Sequence, residues 1–167
     1  MDIINTDYSK AYDLYEKDML IISIITDDDF ISVSEFAQLL NTILNSNFLK
    51  GRYINKILTK SGIIEKKTKE TIRFQQDLGL KVNKYTANVK FKNLYKEVPY
   101  SSGKFYIWNA KLLFSLLGID FRENIDRNVA QNFCKTLKKC TGQTFNPDIV
   151  QKNLRYLQII FCQYIFL

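Results

Sequence analysis

Cationic and amide side chains recur along one short stretch of the sequence, between residues 50 and 69. Within it, apolar residues at positions 53, 54, 57 and 58 define one face of an amphipathic helix. The opposite face carries Arg52, Asn55, Lys56, Thr59 and Lys60. Arginine and asparagine can hydrogen-bond to base edges, and lysine can neutralise phosphates. The pattern predicts a helix that binds nucleic acid, and the alternative is a core helix with a solvated lysine face.

A strand is predicted directly after this helix. Ser61 and Gly62 provide the stop, because glycine suits the left-handed position after a helix C-terminus. Ile63 and Ile64 then resemble the inward residues of a strand that enters a basic hairpin. This order predicts the recognition helix of a winged helix and the first half of its wing. The predicted nucleic-acid-binding residues are Lys50, Arg52, Asn55, Lys56, Lys60, Lys66, Lys67 and Lys69.

The charge of the chain is divided along its length. The net charge is +7, but residues 1–49 carry −7, residues 50–104 carry +10 and residues 105–167 carry +4. A basic block concentrated on one predicted helix and its neighbouring strands is typical of phosphate binding. The sequence therefore favours a polyanionic or acidic partner for the central block.

Catalytic and cofactor motifs are absent from the sequence. The chain contains no histidine, which removes Ser-His-Asp, Cys-His and His-based zinc sites. It has neither GxxxxGK[ST] nor GxGxxG, and three consecutive carboxylates at Asp27–Asp29 suit a solvated turn better than a metal site. Although ten tyrosines leave a tyrosine nucleophile open, we predict a protein that is not an enzyme and binds neither cofactor nor metal.

The first half of the chain predicts three helices. Residues 6–22 form an acidic amphipathic pattern, which suits either an ordinary first helix or an arm that dimerises or covers the basic centre. Ser32 and Glu35 form a capping box that opens a second helix. A turn at Asn45–Asn47 joins that helix to the basic one, and two helices so joined make a helix-turn-helix.

The second half mixes strands and helices. Residues 81–85 and 89–91 alternate as half-buried strands do, and residues 98–103 read as a loop around Pro99. A strand at residues 104–108 runs into Asn109, a predicted N-cap for a helix at residues 110–117. Trp108 is predicted to lie in the core, and base stacking is the alternative for the aromatic residues of this strand, Phe105, Tyr106 and Trp108.

Two further helices, at residues 124–140 and 147–160, complete the predicted fold. The apolar final segment must pack on the body or on a second subunit, so a homodimer through this extension is one prediction. Three cysteines without a CxxC pair suggest reduced thiols, mostly in the core. The N-terminus lacks the pattern of a secretion signal and no apolar run could span a bilayer, so we expect a cytoplasmic protein that does not enter membranes.

Part of the sequence is similar to a known family. The run ISVSEFAQLL…FLKGRYINKILTKSGIIEKK resembles the C-terminal domain of phage antirepressor proteins, the KilAC type, and YSSGKFYIWNAKLL resembles the end of such domains. The residues that carry the resemblance are Ser32, Glu35, Ala37, Leu40, Asn55, Leu58, Gly62, Ile63 and Ile64. It covers residues 30–118 and implies a winged helix in a phage or mobile-element regulator of a bacterial host. The chain departs from the family in lacking a recognisable Bro or KilA-N module, in its acidic first helix and in adding residues 119–167.

These observations predict an α+β fold, mostly helical, with a winged helix-turn-helix core, a small antiparallel sheet and a C-terminal helical hairpin. Its parts would be an acidic helix and arm at residues 1–29, the core at 30–118 and the extension at 119–167. The first functional hypothesis is an antirepressor-type regulator that binds double-stranded DNA. The alternative is a small phage inhibitor that binds a host protein or ribonucleoprotein, such as a repressor or a CRISPR effector.

Overall fold

The computed structural model describes residues 30–79, 85–100 and 103–166, with side chains at positions 30–79, 85–99 and 105–159. Within these residues the fold is α+β, mostly helical, with small antiparallel sheets, as predicted. The elements in chain order are β1 (Phe30–Ile31), α1 (Val33–Leu44), α2 (Gly51–Lys60), β2 (Ile64–Lys66), α3 (Lys69–Asp77), β3 (Tyr85–Ala87), a 3₁₀ turn (Val89–Phe91), β4 (Tyr95–Tyr100), β5 (Gly103–Asn109), α4 (Ala110–Ser115), α5 (Arg127–Thr141) and α6 (Pro147–Phe166). The predictions for residues 6–22 and for Asp27–Asp29 lie outside the described residues.

The predicted capping box at the start of α1 is confirmed. The Ser32 hydroxyl accepts a hydrogen bond from the Glu35 backbone N–H, and the Glu35 carboxylate accepts one from the Ser32 backbone N–H. The helix ends at Asn45, which has a φ of 52°. Asparagine tolerates this left-handed conformation better than most residues, which explains why the chain turns here.

One asparagine closes the connection between α1 and α2. The Asn41 side chain donates to the Leu49 carbonyl and accepts from the Leu49 backbone N–H, at 2.9 Å each. These two bonds satisfy a backbone segment that has no strand partner, since residues 46–50 lie between the helices. They fix the start of α2 relative to α1.

We expect Asn41→Ala to lower the free energy of unfolding by about 2 kcal/mol, because two hydrogen bonds are lost and Leu49 keeps unpaired backbone groups. Urea denaturation followed by circular dichroism measures this. Gln38→Ala is the matched control, since Gln38 is an exposed residue of the same helix. If the two substitutions lowered the free energy of unfolding equally, the two hydrogen bonds of Asn41 would make no measurable contribution to stability.

The basic hairpin predicted after α2 is wrong at its tip, because residues 69–77 form a helix. The Thr68 hydroxyl accepts a hydrogen bond from the Thr71 backbone N–H at 3.2 Å, and Glu70 lies in the first turn. An N-cap threonine and an acidic first turn both stabilise a helix start. The sequence contains these signals, but the hairpin prediction followed the lysines at positions 66, 67 and 69 instead.

The strands form two separate sheets. The larger has the order β1–β5–β4, and the smaller pairs β2 with β3, all antiparallel. The loop predicted around Pro99 is wrong, because Pro99 lies in β4 opposite Lys104. Proline is tolerated there because β4 is the edge strand of the described sheet and hydrogen-bonds to a neighbouring strand on one side only. The strand predicted at residues 104–108 and the N-cap at Asn109 are confirmed.

The strand predicted at residues 89–91 is also wrong. These residues form a 3₁₀ turn, because the Asn88 side chain accepts a hydrogen bond from the Lys90 backbone N–H at 3.0 Å. Such an Asx bond offers the backbone an alternative to a strand ladder. Of the other predicted strand, only Tyr85 lies in the described residues, and it begins β3.

Four helices and the larger sheet enclose one hydrophobic core. Helix α1 packs on α2 and α6, and α5 packs on α6 and α2, so the four helices form a closed ring of contacts. Residues 31–117 and residues 119–157 contribute to the same buried cluster. An additional link joins the Asn153 side-chain amide of α6 to the Ile43 carbonyl of α1 at 2.8 Å. The C-terminal helices thereby support the helix pair that positions α2.

The two predicted C-terminal helices are confirmed, with shifted ends. Asp126 caps α5 through a hydrogen bond from the Val129 backbone N–H, so the helix begins at Arg127 rather than at residue 124. Helix α6 extends beyond residue 160, to Phe166. No helix in the described residues has the length and apolar character needed to cross a bilayer. The packing predicted for the final segment concerns side chains outside the described part.

Candidate functional site

Helix α2 carries its polar residues on a single exposed face. Tyr53, Ile54, Ile57 and Leu58 are buried, whereas Arg52, Lys56 and Lys60 are exposed. Because these three cations recur every four residues, they form one ridge of roughly 12 Å along the helix axis. Lys50, which precedes the helix, is also exposed. With Asn55, which also lies on α2, the structure brings five of the eight predicted residues together at one helix.

Two cations of this ridge lie against the ring of Tyr53. The Arg52 guanidinium carbon is 4.9 Å from the ring centroid, and the Lys56 Nζ is 5.4 Å from it. Arg52 also donates to the Tyr53 hydroxyl at 3.1 Å. Cation–π contacts of this kind hold long side chains in place at little cost in desolvation. Both side chains therefore extend over the helix surface in defined positions.

Lys56 connects α2 to the end of α5. Its Nζ donates to the Cys140 carbonyl at 3.5 Å, in the last turn of that helix. A cation at this position also interacts favourably with the negative end of the helix dipole. Lys56 therefore has a structural contact in addition to its predicted role in binding phosphates.

The last turns of α5 add cations that the sequence reasoning did not place in the site. Lys138 and Lys139 are exposed and flank the Cys140 carbonyl that Lys56 contacts. Lys135, one turn earlier, is exposed as well. The signal was present in the sequence, since no carboxylate occurs between residues 127 and 147. Their position beside α2 follows only from the packing of α5 against it.

Asn55 lies on the side of the exposed face away from α5. It is half-buried and lines an open cavity between the start of α1, the β2–β3 ribbon and β5. Its backbone carbonyl accepts a hydrogen bond from the Thr59 hydroxyl at 2.7 Å. The predicted base-reading residues Arg52 and Asn55 therefore lie on one face, but Asn55 is the more recessed of the two.

The three cations predicted on the wing lie in different environments. Lys66 is exposed at the end of β2, Lys67 is half-buried, and Lys69 is the exposed first residue of α3. Of the three, only Lys66 lies in the two-stranded ribbon, in which Ile64, Glu65 and Lys66 of β2 pair with Ala87, Thr86 and Tyr85 of β3. The helix α3 separates these two strands. Lys69 therefore belongs to this helix and not to a strand of the predicted wing.

The cations of the site form no salt bridge with a carboxylate of the described residues. Among the described residues, none of the seven predicted lysines and arginines forms a salt bridge, and neither do the α5 lysines. A salt bridge of the described part joins Arg127 to Asp148 at 3.3 Å, at the opposite end of α5 from Lys56. Within the described part of the chain, positive charge is therefore concentrated along α2 and the end of α5.

The aromatic residues of β5 divide between core and surface. Trp108 is 2% exposed and packs against Tyr95 and Tyr106, with ring centroids 5.4 Å and 5.8 Å away. Its predicted place in the core is confirmed, and its burial leaves no face for a base. Phe105 is 39% exposed. Tyr106 is half-buried, and its hydroxyl accepts a hydrogen bond from the Ala87 backbone N–H of the ribbon at 3.3 Å.

The described residues offer neither a metal-binding cluster nor an activated tyrosine or cysteine nucleophile. They contain no group of three His, Cys, Asp or Glu side chains that could hold a metal ion. Burial, together with the neighbouring Tyr106 and Glu97, raises the pKa of Tyr95, which keeps this phenol protonated and a poor nucleophile. The predicted core placement of Cys134 and Cys140 is confirmed, and both are free thiols.

The thiol of Cys134 should react slowly in the folded protein. Burial raises its pKa from 9.0 to about 11, so the thiolate fraction at pH 8 falls roughly a hundredfold. Because the folded state holds this proton more tightly, the associated stability is present below about pH 9 and is lost as the pH rises towards 11. Cys140→Ser/Cys162→Ser leaves Cys134 as the single cysteine, whose rate with a thiol reagent is compared before and after unfolding in urea. Equal rates would contradict its burial.

No protein-family model matches this chain, and comparison with curated proteins and with solved structures finds no significant match. Its functional interpretation therefore rests on the charge and geometry of the described residues.

Proposed function

We propose that this protein is a winged-helix regulator that binds double-stranded DNA, of the antirepressor type found in phages and mobile elements. The observation that carries the proposal is the ridge formed by Arg52, Lys56 and Lys60, which is exposed and forms no salt bridge with a described carboxylate. A helix with such a ridge fits the major groove, where arginine reads base edges and lysine neutralises phosphates.

The surroundings of α2 support the same function. Helix α1 is joined to α2 by residues 45–50, a connection longer than the tightest helix-turn-helix turns, and as the first helix of such a motif it would cross the phosphate backbone. The β2–β3 ribbon lies on the side of α2 that Asn55 occupies, with Lys66 at its end. The end of α5, with Lys138 and Lys139, lies on the other side. Cations on both flanks suit a duplex whose two phosphate strands pass on either side of the helix.

A titration of the purified protein with labelled duplex DNA tests this proposal. Each phosphate contact contributes about −0.9 to the slope of log affinity against log salt. Four to six contacts from α2, the ribbon and α5 predict a slope of about −4 to −5. A slope near zero, or no binding at about 50 mM salt, would overturn the proposal. The mass of the protein in solution, measured in parallel, tests the predicted homodimer.

One observation favours the alternative function, an inhibitor that binds a host protein or ribonucleoprotein. Helix α3 buries none of its residues, and Phe74 and Leu78, four positions apart, are 65% and 60% exposed. Exposed apolar pairs on a helix are frequent at protein–protein contacts. Phe74 and Leu78 have no role in the proposed DNA-binding surface.

The substitution Phe74→Ser/Leu78→Ser distinguishes the two functions. If DNA binding is the function, affinity for duplex DNA stays within about twofold of the unaltered protein, because these residues lie off the cationic ridge. If the inhibitor reading holds, the unaltered protein retains a stoichiometric partner from host lysate without binding DNA, and the double variant loses that partner.

A further inference from the structure

A cavity next to the cationic ridge is lined largely by aromatic residues. It measures about 390 Å³ and lies between the start of α1, helix α2, the β2–β3 ribbon and β5. Its aromatic walls come from Tyr85, Phe105, Tyr106 and Trp108. Among the described residues that line it none is charged, and serines and Asn55 contribute polar atoms. This lining suits a neutral aromatic heterocycle and does not suit a phosphate.

The polar group best placed to recognise such a heterocycle is the amide of Asn55. This side chain is half-buried, and its amide forms no hydrogen bond with a described residue; the Thr59 hydroxyl bonds to the Asn55 backbone carbonyl instead. An amide presents a donor and an acceptor side by side, the pattern that complements the edge of adenine. The aromatic rings offer faces on which a base can stack.

Two cations are neighbours of residues that line this cavity. Arg52 lies one helical turn before Asn55 on α2, and Lys66 is the direct cross-strand partner of Tyr85 in the ribbon. A nucleotide has the matching distribution of charge, since its base is neutral and its phosphate is negative. The cavity and the cationic ridge are therefore complementary to one nucleotide of a bound strand.

We propose that this cavity binds one unpaired nucleobase of the DNA, either extruded from the duplex or exposed at a junction with a single strand. Phe105, Tyr85 and Tyr106 provide the stacking surface, and Asn55 hydrogen-bonds to the edge of the base. The proposal rests on the proposed DNA-binding function and adds the structure of the preferred substrate. Because unpaired bases cost least to extrude, DNA with a bulged or mismatched base is the favoured ligand.

Three labelled DNAs of the same sequence test the proposal by fluorescence anisotropy. One is fully paired, one carries a single bulged adenosine, and one carries an abasic nucleotide at the bulge. We expect the adenosine bulge to bind about tenfold more tightly than the abasic bulge, since stacking of one base contributes a factor of about 5 to 150. The abasic DNA has the same bent backbone, so the difference between the two bulges isolates the base.

Phe105→Ala is the diagnostic variant, because Phe105 is partly exposed and its truncation costs little folding stability. It should abolish the difference between the two bulges and leave the affinity for fully paired DNA unchanged. Unfolding in urea, followed by the fluorescence of Trp108, verifies that the variant is folded. Val89→Ala, which truncates an exposed apolar residue outside the cavity, is the control and should keep the tenfold difference.

The outcomes separate this proposal from the proposed function. Binding to paired DNA with equal affinity for both bulges would overturn the cavity proposal and leave duplex binding intact. Binding to the adenosine bulge alone, with loss in Phe105→Ala, would support the cavity and overturn general duplex binding. Absence of binding to all three DNAs would overturn both. A difference between the bulges that persists in Phe105→Ala would place the base elsewhere and also overturn the cavity proposal.

Discussion

Arg52→Glu/Lys60→Glu should weaken binding to duplex DNA about a hundredfold at about 100 mM salt. Both residues are exposed on the ridge of α2 and neither forms a salt bridge with a described residue. Reversal of their charge removes two phosphate or base contacts and adds repulsion, and each lost contact costs about tenfold in affinity. The slope of log affinity against log salt should also become less negative by about 2, because about two fewer counterions are released.

A second charge reversal distinguishes this local effect from a general loss of positive charge. Lys152→Glu/Arg155→Glu changes the net charge equally, but both residues are exposed on α6, which packs on α1 and α5. This control should lower affinity less than threefold, since exposed charges farther than about 10 Å from the DNA are largely screened. Equal losses in the two variants would show that the ridge is not the binding surface.

Lys56 is deliberately unchanged in this experiment. Its ammonium group donates to the Cys140 carbonyl, so a glutamate at this position would put a carboxylate beside the negative end of α5. The variant would lose folding stability as well as a DNA contact, and the two effects could not be separated. Arg52 and Lys60 have no such contact with α5.

Trp108→Ala should lower the free energy of unfolding by about 3 to 5 kcal/mol. The indole is 2% exposed in the central strand of the larger sheet, and its truncation leaves a cavity beneath Tyr95 and Tyr106. A domain of this size is stabilised by about 5 to 15 kcal/mol, so the loss is a large part of the total. Urea denaturation followed by circular dichroism measures the effect without the indole as a probe.

Phe105→Ala serves as the matched control, since it removes an aromatic ring from the same strand at a site that is 39% exposed. Its cost should stay below about 1.5 kcal/mol, because part of the ring is already in water. Trp108 is the single tryptophan of the chain, so in the unaltered protein its emission should be blue-shifted and shielded from a soluble quencher. A loss below about 1 kcal/mol in Trp108→Ala would contradict its place in the core.

Local sequence signals predicted the helices well wherever a cap and an apolar stripe agreed. Ser32 with Glu35 and Asn109 each formed the predicted cap, and the buried stripe of α2 appeared at residues 53, 54, 57 and 58. These features depend on residues within one or two turns of each other, so they can be read from the sequence alone. The predictions for the central segment failed where two local signals competed, as at Thr68 and Asn88.

Tertiary packing decided which charges lie together. The sequence placed Arg52, Lys56 and Lys60 on one face of one helix, because their spacing matches the helical period. It could not place Lys138 and Lys139 beside them, because 78 or more residues separate these lysines from Lys60 and only the contact between α2 and α5 brings them close. It also could not show that Asn55, Tyr85 and Phe105 line one cavity, since they lie on three elements joined by non-local contacts. The helical period fixes neighbours along an element, whereas contacts between elements depend on the shape of the whole core.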